Sequence, residues 1–392
     1  MRLVRAPWRR FLPVGLLSFV LLGLAGCTDG SKYPQSTLHP KGDFAAMVDE
    51  VFMTTVWLAL IVFIVVEGGL LWAIWRFRAK PNDARPKQIH GSTVVEIIWT
   101  VIPAVVLAFV AVPTIKTIFA TANVPAASPG GEAPLKVEVV GHQWWWEFRY
   151  PEYGITTANQ MHVPVGRTVD LRMKSVDVLH AFWIPQVTGK RDVFPNRETR
   201  LWFTALETGE FPGACTEFCG LQHARMDLYV MSQTPEEFAA WVALRKRDPE
   251  MSGAASTGTG HVTVDTIVRD TMSGTAVAAA RGPDALPTDA EQAAPVPGDP
   301  RIAEGKALFT KKACAGCHSL NSIDQPKRSV GPNLAGIGVR KMIAGGWLPN
   351  TDLNLKRWIM HPQDVKPGVA MKGYTLSDAE ADAIVAYLRT KR

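Results

Sequence analysis

Four side chains that can bind a soft metal lie close together near the middle of the chain. They are Cys215, Cys219, His223 and Met226, and His180 precedes them. Thiolate, thioether and imidazole ligands are what copper prefers, whereas calcium and magnesium need oxygen ligands. A disulfide, a zinc site and a redox dithiol are the alternatives. A disulfide would leave His223 and Met226 unexplained, and methionine is not an ordinary zinc ligand. The spacing therefore predicts a copper site.

Glycine and proline surround these ligands. Pro212 and Gly213 precede the first cysteine, and Gly220 follows the second. Both residue types favour turns and are disfavoured inside regular elements, so the segment is predicted to be a loop. A loop would allow ligands that are close in sequence to converge on one metal site.

A second motif, near the C-terminus, predicts a covalently bound haem. Cys314 and Cys317 have the spacing that matches two thiols to the two vinyl groups of a haem, and His318 follows as an imidazole for the iron. A chance match or a thioredoxin-like dithiol is the alternative. No strand–helix–strand pattern surrounds the motif, which favours the c-type haem.

The composition indicates a membrane protein with several domains. The chain has 392 residues, too many for one core, and is 47% hydrophobic with 13 tryptophans. Its net charge of +6 is mildly basic, but no nucleic-acid-binding motif accompanies the charge, so nucleic acid is not an expected partner. All five cysteines have a predicted role: Cys27 in processing, Cys215 and Cys219 in metal binding, and Cys314 and Cys317 in haem attachment. None is left for a disulfide.

The N-terminus resembles an export signal. Arginines precede a short apolar run that ends in small residues before Cys27, so residues 1–26 are predicted to be a lipoprotein-type signal peptide with lipidation of Cys27. A simple membrane anchor with an incidental cysteine is the alternative. Residues 27–50 are then an external segment.

Two apolar stretches, 51–77 and 93–119, are long enough to cross a bilayer as helices. The intervening loop, 78–92, carries most of the nearby positive charge, which predicts that it is cytoplasmic and that both chain ends are outside. Glu67 is interpreted as a helix–helix contact, whereas Glu96 is either an interfacial residue or part of a transport path.

Residues 133–246 are predicted to form a β-sandwich or barrel of the Greek-key type. The predicted strands are Leu135–Val140, Trp144–Arg149, Thr168–Met173, His180–Ile184, Thr199–Phe203 and Leu228–Met231. Small and polar residues dominate 247–299, which predicts a flexible linker. Residues 300–392 have helical patterns at Ile302–Lys312 and after an N-cap at Ser377, which predicts a small all-α domain.

The metal-binding residues resemble the dinuclear copper centre, CuA, of cytochrome c oxidase subunit II. The matching positions are His180, Cys215, Glu217, Cys219, His223 and Met226. The resemblance implies that two thiolates bridge two coppers, that each copper binds one histidine, that Met226 binds one copper and that the backbone carbonyl of Glu217 binds the other. It also implies a cupredoxin-like fold after the two-helix transmembrane hairpin.

Further roles follow from the same resemblance. Trp144 matches an exposed aromatic residue through which electrons reach the copper, whereas Trp145 is interpreted as a core residue. Asp177 is either part of the same surface or a plain solvated carboxylate. The Glu217 side chain would help to bind magnesium at the contact with subunit I, and Glu96 would lie at the entrance of a proton path.

The C-terminal domain is similar to a small class I cytochrome c, as in oxidases of the caa type. The similarity makes Met371 the sixth iron ligand opposite His318, with Pro332 supporting the histidine. Met360 and Met342 are weaker candidates that are expected to serve in packing. Lys372 follows Met371, where proline is usual.

Together these resemblances imply subunit II of an aerobic respiratory oxidase in a bacterial inner membrane, with its metal domains on the periplasmic side. Electrons would pass from cytochrome c or a cytochrome bc complex to the haem c, then to CuA and the haem of subunit I. There, O₂ would be reduced to water with proton pumping. Subunits I and III and membrane lipid are the expected partners. The alternative is a membrane-anchored copper-delivery protein with a fused cytochrome. A quinol oxidase subunit would lack the copper ligands.

Overall fold

Two long helices, a β-sandwich and a small helical domain follow one another along the chain. The structure is a computed structural model that describes residues 33–78, 90–247, 298–323 and 330–392. The predicted signal peptide and Cys27, most of the loop at 78–92 and nearly all of the linker at 247–299 lie outside the described residues. The predicted fold class is confirmed for the described part of the chain.

The two helices, α1 (Asp43–Arg76) and α2 (Thr93–Ala122), have mean hydropathies of 2.3 and 2.4 over their most apolar stretches. Their length, and the large apolar side chains that they expose, fit two membrane spans. The first helix begins at Asp43, earlier than residue 51, where the predicted span begins, because its first turn packs on the β-sandwich. The Asp43 carboxylate accepts a hydrogen bond of 2.7 Å from the Thr204 N–H.

The β-sandwich consists of two five-stranded sheets. Its strands are β1 (Leu135–His142), β2 (Trp145–Tyr150), β3 (Ile155–Ala158), β4 (Gln160–Pro164), β5 (Thr168–Ser175), β6 (His180–Trp183), β7 (Arg191–Val193), β8 (Thr199–Thr204), β9 (Gly209–Cys215) and β10 (Asp227–Gln233). One sheet has the order β3-β2-β1-β5-β8 and the other β4-β10-β9-β6-β7. Helix α3 (Pro235–Lys246) follows the last strand. Apolar side chains from both sheets form one buried core.

Four strands, β3, β4, β7 and β9, are absent from the sequence prediction. The interpretation of Pro212 and Gly213 as loop residues is wrong, because both lie inside β9. Proline is tolerated there because β9 pairs with β6 only at Ala214 and Cys215, so no ladder bond on that side needs an N–H from Pro212. A Cβ at Gly213 would lie 2.6 Å from the Trp183 carbonyl oxygen, so the close approach of β6 excludes a side chain.

The C-terminal domain is built on two packed helices, α4 (Pro300–Lys311) and α7 (Asp378–Arg389). Between them lie a two-stranded ribbon, β11 (Met342–Ile343) with β12 (Leu348–Pro349), and the helices α5 (Asp352–Met360) and α6 (Pro362–Val365). The predicted N-cap is confirmed, since the Ser377 hydroxyl accepts a hydrogen bond from the Glu380 N–H.

Gly305→Ala should destabilise the C-terminal domain. A Cβ at this position would lie 2.0 Å from the Ala383 carbonyl oxygen, so α4 and α7 would have to move apart. We expect a loss of about 1–3 kcal/mol, typical of overpacking. Thermal denaturation followed at the haem absorbance would measure it. The control is Ala307→Leu on the exposed face of the same helix, which should change the midpoint little. Equal midpoints for the two variants would contradict the close helix contact.

Candidate metal centre and haem site

The copper-type ligands are carried by the ends of three adjacent strands. His180 begins β6, Cys215 ends β9, and Met226 directly precedes β10. Cys219 and His223 lie in the loop that joins β9 to β10. The Cys215 N–H donates to the Met226 carbonyl oxygen at 3.0 Å, which fixes the two ends of this loop next to each other. The structure therefore brings together all five side chains that the sequence predicts as metal ligands.

Sulfur and nitrogen atoms of these residues lie a few ångströms apart. The Sγ atoms of Cys215 and Cys219 are 3.8 Å apart, and each has an imidazole Nδ1 nearby: His180 at 3.9 Å from the first and His223 at 3.7 Å from the second. The Met226 Sδ lies 3.9 Å from the Cys219 Sγ.

These distances fit a shared metal. A disulfide would need an S–S distance of about 2.05 Å, and both thiols are free. Two sulfurs 3.8 Å apart can both bind one metal ion, since metal–thiolate bonds are about 2.3 Å long. The donor set of thiolates, imidazoles and a thioether suits copper. The residues present therefore fit the group that the resemblance implies.

The electrostatics of the site favour a thiolate at Cys215. Its hydrogen bond with Cys219 lowers the pKa of the Cys215 thiol to about 4 against the opposing effect of burial, and raises the pKa of Cys219. A thiolate is the form of cysteine that binds metals.

His180 is held by a carboxylate on its far side. Its Nε2 lies 2.8 Å from Asp177 Oδ1, which leaves Nδ1 directed at Cys215. Burial lowers the pKa of His180, but the hydrogen bonds with Asp177 and Cys215 outweigh it, so the pKa is raised. Asp177 Oδ2 also accepts a 2.6 Å hydrogen bond from the Gln143 N–H. Asp177 is thus placed to orient a candidate ligand, a role that the sequence analysis did not assign to it.

Trp144 lies directly against the copper-type loop. Its indole Nε1 donates to the Cys219 carbonyl oxygen at 3.0 Å. The resemblance implies an exposed aromatic residue here, but Trp144 is only 9% exposed because the C-terminal domain covers it. Its ring lies next to Gly368, where an added Cβ would be 3.7 Å from the indole. Trp145 is buried and stacks on His142 at 4.0 Å.

The C-terminal domain contains a cavity of about 400 Å³ that the CxxCH motif lines. The His318 Nδ1 donates to the Pro332 carbonyl oxygen at 2.8 Å, since that oxygen can only accept, and this leaves Nε2 for a metal. Burial lowers the pKa of His318, which favours the neutral imidazole that iron needs. A Cβ at Gly331 would lie 2.5 Å from His318 Cε1, so glycine is required beside the ring. The residues that line the cavity fit a c-type haem.

Met371 also lines this cavity. Its carbonyl oxygen accepts a 2.8 Å hydrogen bond from the Gln363 side chain, which fixes the segment. Met342 lines the cavity too, but it is buried in a cluster with Tyr229 and Met231. Met360 packs against the core of the domain.

The cavity is closed on one side by the β-sandwich. Trp144, Trp145 and Tyr229 line it together with the residues of the CxxCH motif. The candidate haem site therefore faces the loop that carries the copper-type ligands. Sequence reasoning did not find this juxtaposition, because no pattern links segments that far apart along the chain.

The two remaining predicted site residues, Glu217 and Glu96, lie outside the cluster of metal-binding side chains. Glu217 has a half-buried side chain, and its carbonyl oxygen lies 3.4 Å from the Cys215 Sγ. Glu96 lies in the first turn of α2. The cluster of metal-binding side chains that the described residues form contains neither of them.

Three family models match the chain in turn. They describe the transmembrane domain of cytochrome c oxidase subunit II over residues 42–117, its periplasmic domain over 154–233, and cytochrome c over 302–391.

Relatives match over nearly the full length. Cytochrome c oxidase subunit 2 of Alkalihalophilus pseudofirmus is 32% identical and covers 97% of this chain and 96% of its own. The same subunit of Bacillus sp. (strain PS3) is 34% identical over 97% and 96% of the two chains. The solved periplasmic domain of subunit II of cytochrome oxidase of Bradyrhizobium japonicum is 33% identical over 31% of this chain and 95% of its own, with a TM-score of 0.29. From its three matched domains and these full-length relatives, the chain belongs to the family of cytochrome c oxidase subunit 2, in a form that carries a C-terminal cytochrome c domain.

Proposed function

We propose that this subunit receives electrons at its own haem c, passes them by way of Trp144 to a dinuclear copper centre, and delivers them to the haem of oxidase subunit I. When bound, haem c and copper supply carriers that each take up and release one electron. The observation that carries the proposal is that Trp144 lines the cavity of the CxxCH motif and also donates a hydrogen bond to the Cys219 carbonyl oxygen.

The residues of the chain contribute position and exclusion of water. Cys215, Cys219 and Met226 are buried, and His180 has no exposed surface, so the ligands are held in a packed environment. Asp177 fixes the ring of His180, and Pro332 fixes the ring of His318. A packed cage of this kind changes little when charge moves, which suits electron transfer rather than bond chemistry. No general acid or nucleophile is needed.

The wider assignment follows from the family. O₂ would be reduced to water in subunit I with proton pumping, and subunit III and a cytochrome c or cytochrome bc donor would complete the chain of partners. Both metal domains would be periplasmic, on a hairpin in the inner membrane with a lipidated Cys27. Glu217 would add a magnesium ligand at the contact with subunit I, and Glu96 would lie at a proton entrance.

Trp144→Phe should slow electron transfer from haem to copper without altering either centre. The substitution keeps an aromatic ring but removes the indole N–H that donates to the Cys219 carbonyl oxygen. We expect a lower rate, because the ring next to the haem cavity no longer bonds to the loop of Cys219. Photoreduction of the haem in the purified oxidase, followed at the copper absorbance, would measure the rate.

The control for Trp144 is Trp241→Phe. Trp241 is also buried in the β-sandwich, but its indole nitrogen has no hydrogen-bond partner among the described residues. This variant should transfer electrons at the wild-type rate. If Trp144→Phe also leaves the rate unchanged, Trp144 is not on the route.

A further inference from the structure

Lys366 lies at the contact between the C-terminal domain and the β-sandwich. It follows α6 and precedes Met371, and it is only 1% exposed. A buried ammonium group is costly unless every N–H finds an acceptor. At Lys366 all three can be satisfied, because Nζ lies within hydrogen-bond distance of three backbone carbonyl oxygens.

The three acceptors come from both domains. Lys366 Nζ donates to the Trp144 carbonyl at 3.1 Å and to the Arg225 carbonyl at 2.8 Å, both in the β-sandwich. The third acceptor is the Ala344 carbonyl of its own domain, at 3.0 Å. The Lys366 side chain thus joins the segment that leads to Met371 to the backbone of the β-sandwich, at Trp144 and at Arg225, which precedes Met226.

Backbone groups also form hydrogen bonds across the contact. The Asp227 N–H donates to the Gly345 carbonyl at 2.9 Å, and the Thr156 N–H donates to the Ser322 carbonyl at 2.9 Å. Gly345 has a φ of 74°, and a Cβ there would lie 2.7 Å from Lys366 Nζ. Glycine at position 345 therefore allows the segment after β11 to place its carbonyl groups next to the Lys366 ammonium group.

Two side-chain contacts flank the lysine. The Gln222 amide donates to the Pro367 carbonyl at 2.7 Å. Lys341 of the C-terminal domain lies 2.9 Å from a carboxylate oxygen of Glu210 in β9. The contact is thus polar and directional, which favours one orientation of the two domains over others.

We propose that Lys366 is the positioning residue that fixes the cytochrome c domain on the copper domain, with the haem cavity facing Trp144. Its effect on electron transfer rests on the proposed function, whereas its effect on docking does not. Without the ammonium group, three carbonyl oxygens at the contact lose this donor, and the domain contact opens. The hydrogen bonds of Lys366 given above go to none of the copper-type ligands or CxxCH residues, so both centres should remain intact.

The test is Lys366→Met in the full-length subunit within the purified oxidase. This change removes the charge and keeps the length of the side chain. Hydrogen exchange, read by mass spectrometry, should become faster by about tenfold or more at the amides of Asp227 and Thr156, which reflects the loss of several hydrogen bonds to a charged group. Amides that pair β1 with β2 should keep their rates. Haem-to-copper transfer should slow, with both absorption spectra unchanged.

Two further variants separate docking from folding and from charge. Lys311→Met removes an equivalent charge from an exposed position of the same domain and should change nothing. Lys341→Met breaks the pair with Glu210 and should raise exchange at the same two amides by a smaller factor. It also tests the contact if Lys366→Met does not fold.

Each outcome of the exchange measurements either supports or overturns the docking role of Lys366. Unchanged exchange at Asp227 and Thr156 in Lys366→Met would overturn the proposal. So would faster exchange throughout α4 and α7, because Lys366 would then support the fold of its own domain. Faster exchange at the two contact amides, with electron transfer at the wild-type rate, would support the docking role and contradict the route through Trp144.

Discussion

Cys219→Ser should abolish the proposed paired copper centre of this subunit while leaving the covalent haem in place. The Cys219 Sγ is the atom that connects the site, since the sulfur of Cys215, the Nδ1 of His223 and the sulfur of Met226 all lie within 3.9 Å of it. A serine hydroxyl is a harder ligand that stays protonated at neutral pH, so it would not replace the thiolate that the proposed centre needs.

The expected result is a loss of the mixed-valence copper signal and a copper content well below that of the wild type. Loss of a partner that merely orients a ligand already costs about 10–100-fold in metal affinity, and loss of a bridging ligand should cost more. Metal analysis and electron paramagnetic resonance of the purified oxidase would measure both. Haem content should not change, because Cys314 and Cys317 belong to the other domain.

A control in the same loop is Thr216→Ser, which should bind copper as the wild type does. Serine keeps the hydroxyl, which has no hydrogen-bond partner in the described part of the chain, and the change removes only a methyl group. A loss of two coppers for each haem c between the wild type and Cys219→Ser would support the dinuclear centre. A loss of one copper would favour the copper-delivery alternative, and a loss of zinc would contradict the copper site.

The candidate metal ligands could be brought together from sequence because most of them lie on one loop. Cys215, Cys219, His223 and Met226 are spaced for convergence without any knowledge of the sheets, and the CxxCH motif is equally local. The strand that carries Cys215 was missed for a local reason as well. Pro212 and Gly213 indicate a turn when only the sequence is considered. β9 tolerates both residues because its pairing with β6 does not extend to them.

Contacts between distant segments could not be predicted in this way. The ammonium of Lys366 binds the Trp144 carbonyl across 222 residues of chain, and nothing in either local sequence identifies the other. Trp144 itself was expected to be exposed, because its cover comes from another domain. The sequence does not show that Lys366 is buried. Its burial in the structure indicates that it has partners, since Lys is almost never fully buried without them.

Met371→Ala should lower the reduction potential of the haem and leave the copper centre intact. Met371 lines the haem cavity together with His318, and its position is fixed by the hydrogen bond from Gln363 to its carbonyl oxygen. A thioether opposite histidine raises the potential of haem iron. Because axial ligands alone set haem potentials across about 0.8 V, loss of the sulfur should lower the potential by on the order of 100 mV or more.

Redox titration of the haem in the purified oxidase would measure this change, with the copper spectrum recorded on the same sample. Met342→Leu is the matched control, because Met342 also lines the cavity but packs with Tyr229 and Met231. It should keep the wild-type potential, since leucine fills nearly the same volume. If the potential falls in Met342→Leu and not in Met371→Ala, the iron ligand is Met342. Loss of copper in Met371→Ala would mean that the haem and copper sites cannot be altered independently.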